Sequence, residues 1–167
     1  VSGVEGAPHL PLIEEPEEES ILIIFETPIL DYTKNRINNI RLACKAVSGT
    51  ILTPGEEFSF NTVVGPRTVE KGYKEAIIFR KNEKVKEVGG GICQLTSTLY
   101  GAAKAAGFII TERTTHQLLV DYVEEGEDAT VYFGKIDFKF INNLDRQVRI
   151  DASCGDGKVA VTITSII

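Results

Sequence analysis

The sequence predicts an α+β domain in which a central helix, opening at a Gly-Gly-Gly-x-Cys loop, packs on a mostly antiparallel sheet. Three observations carry this reading. Helical periodicity occurs over residues 34–48 and again from Cys93 to Gly107. After Gly107 the chain breaks into short β-rich runs separated by Gly, Asn and Asp turns. Helical segments ahead of a late series of strands give α+β, not an alternating parallel architecture. The 167 residues make one ordinary domain, and 43% hydrophobic residues suffice for its core.

Residues 1–20 hold three Pro, two Gly and six Glu without one Lys or Arg. They read as an acidic linker or arm, with His9 an exposed linker residue. The domain proper then runs from 21 to 167. Its 147 residues (167 − 20) carry 18 basic against 18 acidic groups, so the net charge of −6 belongs to the arm. Such a neutral body leaves no basic footprint for nucleic acid. No apolar run reaches the ~20 residues that span a bilayer. The chain begins at Val1 and lacks Met, which reads as a processed chain or an excised domain.

Ile21–Thr27 reads as a buried strand. Thr33 is placed to cap the first helix, whose Ile37, Ile40, Cys44 and Val47 form an apolar stripe ended by Gly49. Pro54-Gly55 turns the chain into an alternating strand over Glu57–Asn61, and Gly65-Pro66-Arg67-Thr68 turns it again. Glu75–Arg80 and Val85–Val88 form a hairpin with a charged tip at Asn82. The second helix shows Leu95, Leu99, Ala102, Ala103 and Ala106 on one face, with small residues that admit close neighbours. Strands follow at Phe108–Arg113, Gln117–Val123, Ala129–Phe133, Lys135–Ile141, Gln147–Ala152 and Val159–Ile166, the last two joined by Gly155-Asp156-Gly157.

The chemistry concentrates at Gly89-Gly90-Gly91-Ile92-Cys93-Gln94. Glycines let a ligand approach the backbone closely. A thiol in the first turn of a helix sits at the positive end of the macrodipole, which favours the reactive thiolate. Free first-turn N–H groups, or the Gln94 side chain, could hold an oxyanion. No Lys follows the glycines as a phosphate loop requires. His116 is the body's one imidazole, and Asp128 follows it by 12 residues (128 − 116), with Asp121 and Asp137 as rivals. Cys, then His, then Asp on successive elements is the order of transglutaminase-like and papain-like cysteine enzymes. The bland alternatives are a packing loop with a filler Cys93, and a histidine bonded to backbone. Arg67 is a candidate anion clamp for carboxylate or phosphate, or else a salt-bridge partner of Glu70. Ser97 and Tyr100 read as packing groups and Asn61 as a turn residue. Cys44 reads as a shielded hydrophobe. Three widely spaced Cys and two His offer neither a disulfide framework nor a metal pattern, and no cofactor is implied.

The runs Asn35–Ile40, Leu52–Asn61, Val64–Thr68 and Gly72-Tyr73 resemble the VanW-like family. So do Gly89–Gln94, Ser97–Tyr100, His116, Gly126–Val131 and Asp137–Asn143. Together they cover roughly residues 30–150, with Thr115 departing from the Pro expected before His116. The resemblance implies an extracytoplasmic domain of a bacterial cell envelope, tied by its arm to an upstream module or anchor. It implies a pocket at Arg67, Gly89, Gly90, Gly91, Cys93, Gln94, His116 and Asp128 for a peptidoglycan-related peptide or glycan ligand. Three functions remain open: a binding domain, a Cys-His-Asp hydrolase or acyl transferase, and a structural spacer.

Overall fold

A computed structural model describes residues 18–80 and 83–167. The sequence's alternation of apolar residues near its start forms β1 (Glu19–Pro28), which pairs antiparallel with β9 (Lys158–Ile166). The strand thus starts two residues before the expected boundary, and Glu19 ion-pairs with Arg149 of β8 (Gln147–Gly155). It is not buried as expected. β1 is the edge of a four-stranded sheet ordered β1-β9-β8-β2, with β2 at Thr50–Leu52. Ile21 and Ile24 are exposed, while Phe25 and Thr27 turn inward. Asp156 (φ 52°) and Gly157 (φ 79°) close the β8–β9 hairpin with the two positive dihedrals that a type I′ turn demands.

Helix α1 (Lys34–Val47) lies on β8 and buries Ile40, Ala43, Cys44 and Val47, as its periodicity predicts. Thr33 does not cap it through its side chain. Asp31 Oδ1 instead accepts from both the Thr33 N–H and the Thr33 hydroxyl. β3 (Glu57–Ser59) is shorter than expected, because Ser59 Oγ accepts the Thr62 N–H and so caps a short helix, α2 (Phe60–Val64). β4 (Glu75–Arg80) and β5 (Glu83–Val88) form the predicted hairpin; its Asn82 tip lies outside the described residues.

Helix α3 (Cys93–Ala105) is the centre of the fold. Residues Gln94–Ala103 are all buried, between the four-stranded sheet and β6 (Ile109–Glu112). Its small residues set that depth: a Cβ at Gly101 would lie 2.2 Å from the Phe25 ring. β6 joins β7 (Lys139–Ile141) and β3 in a three-stranded sheet ordered β3-β7-β6. Phe58 and Phe108 stack on Phe140 of this sheet, and Tyr100 meets Phe138 edge-on. Each such ring contributes ~0.5–1.5 kcal/mol beyond its buried area. The strands are antiparallel throughout the described pairings, as expected, but divide among three sheets.

Two expected strands do not form. Residues 117–123 run as a loop, and residues 129–133 make only the isolated bridges Thr114↔Thr130 and Tyr132↔Ile136. Likewise only Lys139–Ile141 of the expected 135–141 strand joins a ladder, Ile136 making just the isolated bridge. Side-chain bonds replace the ladder here: Ser97 Oγ accepts the Ala129 N–H, and Arg113 donates to the carbonyls of Asp128 and Gly126. The resulting loops bring Thr130 onto Cys93 at the N-terminus of α3 and His116 to the same cleft.

Candidate active site

The three glycines are each required by a neighbour. Gly89 (φ 88°) presses on Arg67, where a Cβ would lie 2.7 Å from Arg67 Cβ. At Gly90 it would lie 2.6 Å from the Ala76 carbonyl oxygen, and at Gly91 (φ 99°) 2.5 Å from Arg36 Cγ. The loop therefore threads between two arginines with β4 behind it. Asn39 of α1, fully buried, fastens this arrangement. Its amide donates to the carbonyls of Lys74 and Gly90, and its oxygen accepts the Lys74 N–H.

Cys93 is the first residue of α3. Its sulfur lies 3.4 Å from Thr130 Oγ1 and 3.9 Å from the Val131 carbonyl oxygen. The His116 imidazole is the strongest favourable electrostatic partner of the same sulfur. Asp128 Oδ2 accepts the His116 backbone N–H at 2.6 Å and meets His116 Nδ1 at 2.6 Å. With Nδ1 committed to the carboxylate, Nε2 is the ring nitrogen left for the thiol. The backbone bond fixes the loop and the ring bond fixes the tautomer, so one buried oxygen sets both position and protonation. Asp128 is thus the third member of the chain. Asp121 is exposed, and Asp137 spends its oxygens on Ser59 Oγ and the N–H groups of Asn61 and Phe138.

The electrostatics follow from this contact. Burial pushes the Cys93 thiol up, but the hydrogen bond and charge of His116, with lesser help from Thr130 and Val131, bring it below the ordinary value. Burial pushes His116 down, and Cys93 and then Asp128 more than reverse this. Asp128 is likewise desolvated, yet His116 holds its carboxyl low. Each shift favours a thiolate–imidazolium pair. Cys44 shows the opposite case: burial, with a small push from Cys154, raises it to about 12. The Cys93 backbone N–H has no acceptor among the described residues, which leaves a donor beside the sulfur.

Gln94 corrects the sequence reading. It is 1% exposed, and its amide N–H groups go to Thr27 Oγ1 and the Pro28 carbonyl. Its Oε1 accepts from Arg36 at 2.6 Å. It positions Arg36 and has no free side-chain donor for an oxyanion. Arg67 makes no salt bridge to Glu70; it donates to Gly65 O and Asn61 Oδ1, with Phe60 and Phe133 on its guanidinium. Asn61, expected as a turn residue, is the side chain that holds Arg67.

One cleft of about 1290 Å³ is bounded by the glycine loop, Cys93, Gln94, His116, Arg36 and Arg67. Six exposed apolar side chains line it: Leu30, Ile77, Leu118, Leu119, Tyr132 and Phe133. The sequence reading missed Arg36, Thr130 and Tyr122. Tyr122 lines the cleft, and burial raises its hydroxyl above the ordinary value. Arg36 had a signal, since it sits in the Asn35–Ile40 motif. Tyr122 had none, being hidden in a segment that reads as a strand. Among the described residues no cluster of His, Cys, Asp and Glu is arranged to hold a metal ion.

Residues 35–164 match the family described as VanW like protein. The chain belongs to the VanW-like family. It is 46% identical over 132 residues to the uncharacterized protein YoaR of Bacillus subtilis (strain 168), covering 79% of this chain and 44% of that one. It is 29% identical over 134 residues to the vancomycin B-type resistance protein VanW of Enterococcus faecalis, covering 77% and 48%. The chain spans less than half the length of these curated relatives. No solved structure matches it. Membership supports a cell-envelope-associated VanW-like domain. No described helix is long and apolar enough to cross a membrane.

Proposed function

We propose that this domain is a cysteine acyl-transfer enzyme, a hydrolase or transferase, acting on a cell-wall peptide outside the cytoplasm. The observation that carries the reading is the Cys93–His116–Asp128 arrangement: Asp128 bonds the His116 ring, while the thiol and the imidazole are electrostatically coupled and both line the cleft. The Cys93 thiolate attacks the carbonyl carbon of an amide, forming a C–S bond while the carbonyl electrons move onto oxygen. The Cys93 N–H stabilises that oxyanion. As the C–N bond breaks, His116 Nε2 gives its proton to the departing amine and a thioester remains. Water or an acceptor amine then loses a proton to His116 and attacks the thioester, regenerating the thiolate. Asp128 keeps the imidazole oriented in both steps.

The cleft's apolar walls and its arginines suit a peptide with charged and uncharged portions. Arg67 and Gly89–Gly91 border the place where it lies, and residues 1–20 tether the domain to an upstream module or anchor. A pure binding domain would use the same cleft but would give the Cys93–His116–Asp128 chain no task. The test is incubation with soluble cell-wall peptides and mass analysis of the products. Cleaved or exchanged peptides are expected from the wild type and not from Cys93→Ala or His116→Ala. Equal products from wild type and Cys93→Ala, or none from the wild type, would overturn the reading.

A further inference from the structure

The cleft wall holds a guanidinium, that of Arg67, with no ion-pair partner among the described residues. Cys93 is the charge that Arg67 feels most strongly, and both residues line the cleft. Burial lowers the Arg67 pKa, so its charge is held at a cost. Its two recorded hydrogen bonds use two of the guanidinium's five donors, both to neutral oxygens. No carboxylate lies within ion-pair distance of it among the described residues, and Nε has no acceptor there. Among those residues no buried side-chain nitrogen lacks a partner. Nε is therefore not sealed in the interior, and Arg67 lines the cleft.

The fold fixes this guanidinium in place. Asp137 holds the Asn61 backbone and the Ser59 hydroxyl, Asn61 Oδ1 accepts from Arg67 at 2.9 Å, and Phe60 and Phe133 lie 5.3 and 5.8 Å from its central carbon. Gly89 has no side chain because Arg67 occupies the space. Arg36 differs in having a carboxylate nearby: it donates to Gln94 Oε1 and the Asp31 carbonyl, and its charge acts on the Asp31 carboxyl. A pre-positioned planar cation with spare donors matches a carboxylate.

We propose that the substrate carries a free carboxylate near the bond that meets Cys93, and that Arg67 binds it. This rests on the cysteine-enzyme reading and names its substrate class. The carboxylate belongs either to the end of the peptide or to an acidic side chain; both present the same group to Arg67.

The test compares alkylation of Cys93 by iodoacetate, which bears a carboxylate, with that by uncharged iodoacetamide, mapped by mass. The iodoacetate-to-iodoacetamide rate ratio should fall about tenfold in Arg67→Gln, the low end of field-driven rate effects in charged clefts. Arg67→Lys should retain part of it. Taking the ratio cancels any change in the thiolate itself that loss of Arg67 brings, since both reagents react with the same thiolate. The wild type alone provides a second measurement should the variants misfold. N-acetyl-alanine and N-acetyl-isoglutamine should protect Cys93 from iodoacetamide where N-acetyl-alanine amide does not. The better protector assigns the carboxylate to the chain end or to a side chain. A ratio unchanged in Arg67→Gln, or equal protection by acid and amide, overturns the proposal while leaving the cysteine-enzyme reading intact. Failure of iodoacetamide to label Cys93 overturns both.

Discussion

Replacing Gly91 by Ala should separate two costs that the glycine loop avoids. Gly91 has φ 99°, and a Cβ there would sit 2.5 Å from Arg36 Cγ. The left-handed backbone alone costs an L-residue roughly 1–2 kcal/mol. Crowding a packed site adds roughly 1–3 kcal/mol, here by forcing Arg36 off Gln94 Oε1. Two controls isolate the parts. Gly107 has φ 79° with nothing within 4 Å, so Gly107→Ala carries only the backbone cost. Gly90 has no left-handed strain but would strike the Ala76 carbonyl oxygen at 2.6 Å, so Gly90→Ala carries only the contact. Urea unfolding should therefore give Gly91→Ala the largest loss, about 2–5 kcal/mol, within the 5–15 kcal/mol of a typical domain. Cys93 alkylation should slow in Gly91→Ala and not in Gly107→Ala. Equal stability losses in those two variants would refute the claim that Arg36 packs against the loop.

Turnover should be bell-shaped in pH. The active ion pair forms as pH rises through the lowered Cys93 pKa and is lost as pH rises through the raised His116 pKa; a rate that climbs steadily through alkaline pH would contradict this. Asp128→Asn should slow turnover by roughly 10²–10⁴ through the wrong imidazole tautomer, the scale of general acid–base assistance, while leaving Cys93 able to bind substrate; steady-state kinetics decide. Because the folded Asp128 pKa is depressed, its contribution to stability is complete above the ordinary carboxylate range and lost as pH falls through the folded value. Asp128→Asn should accordingly flatten the loss of stability below about pH 4, read from urea midpoints. Removing residues 1–17 should change stability by less than about 1 kcal/mol, whereas removal through Ile24 takes away half of a strand paired along β9 and should lower the midpoint sharply.

The parts of the fold legible in the sequence are those with a strong period or a strong stop. α1 and α3 announce themselves through Ile40, Cys44, Leu95 and Leu99, and through Gly49 and Gly107 at their ends. The β4–β5 hairpin reads equally well. Residues 117–133 misled because their β-rich composition resembles strand while their backbone is held by Ser97, Arg113 and Asp128. Local propensity does not register bonds that come from elsewhere in the chain. The burial of β1 was misjudged for a related reason: which strand becomes an edge is decided by topology, and Ile21 and Ile24 look the same in either place. At the site, Cys93, His116 and Asp128 were legible as chemistry before their contacts were visible. Gln94 was misread because an amide after a cysteine suggests an oxyanion donor, and only its partners Thr27, Pro28 and Arg36 reveal that it is already occupied.

The ionisation of Cys93 tests the central claim most directly. Its iodoacetamide alkylation rate, followed against pH in the wild type and in His116→Ala, reports the thiolate. Cys44 provides the scale, since a buried thiol with no cationic partner is pushed up to about 12 and should not label near neutrality. The wild-type midpoint should lie below the ~8.5 of a free cysteine, and His116→Ala should carry Cys93 upward toward the behaviour of Cys44, slowing its labelling at neutral pH at least ~10-fold, one pKa unit's worth. A wild-type midpoint at or above that of a free thiol, or the same profile with and without His116, would contradict the thiolate–imidazolium pair on which the account stands.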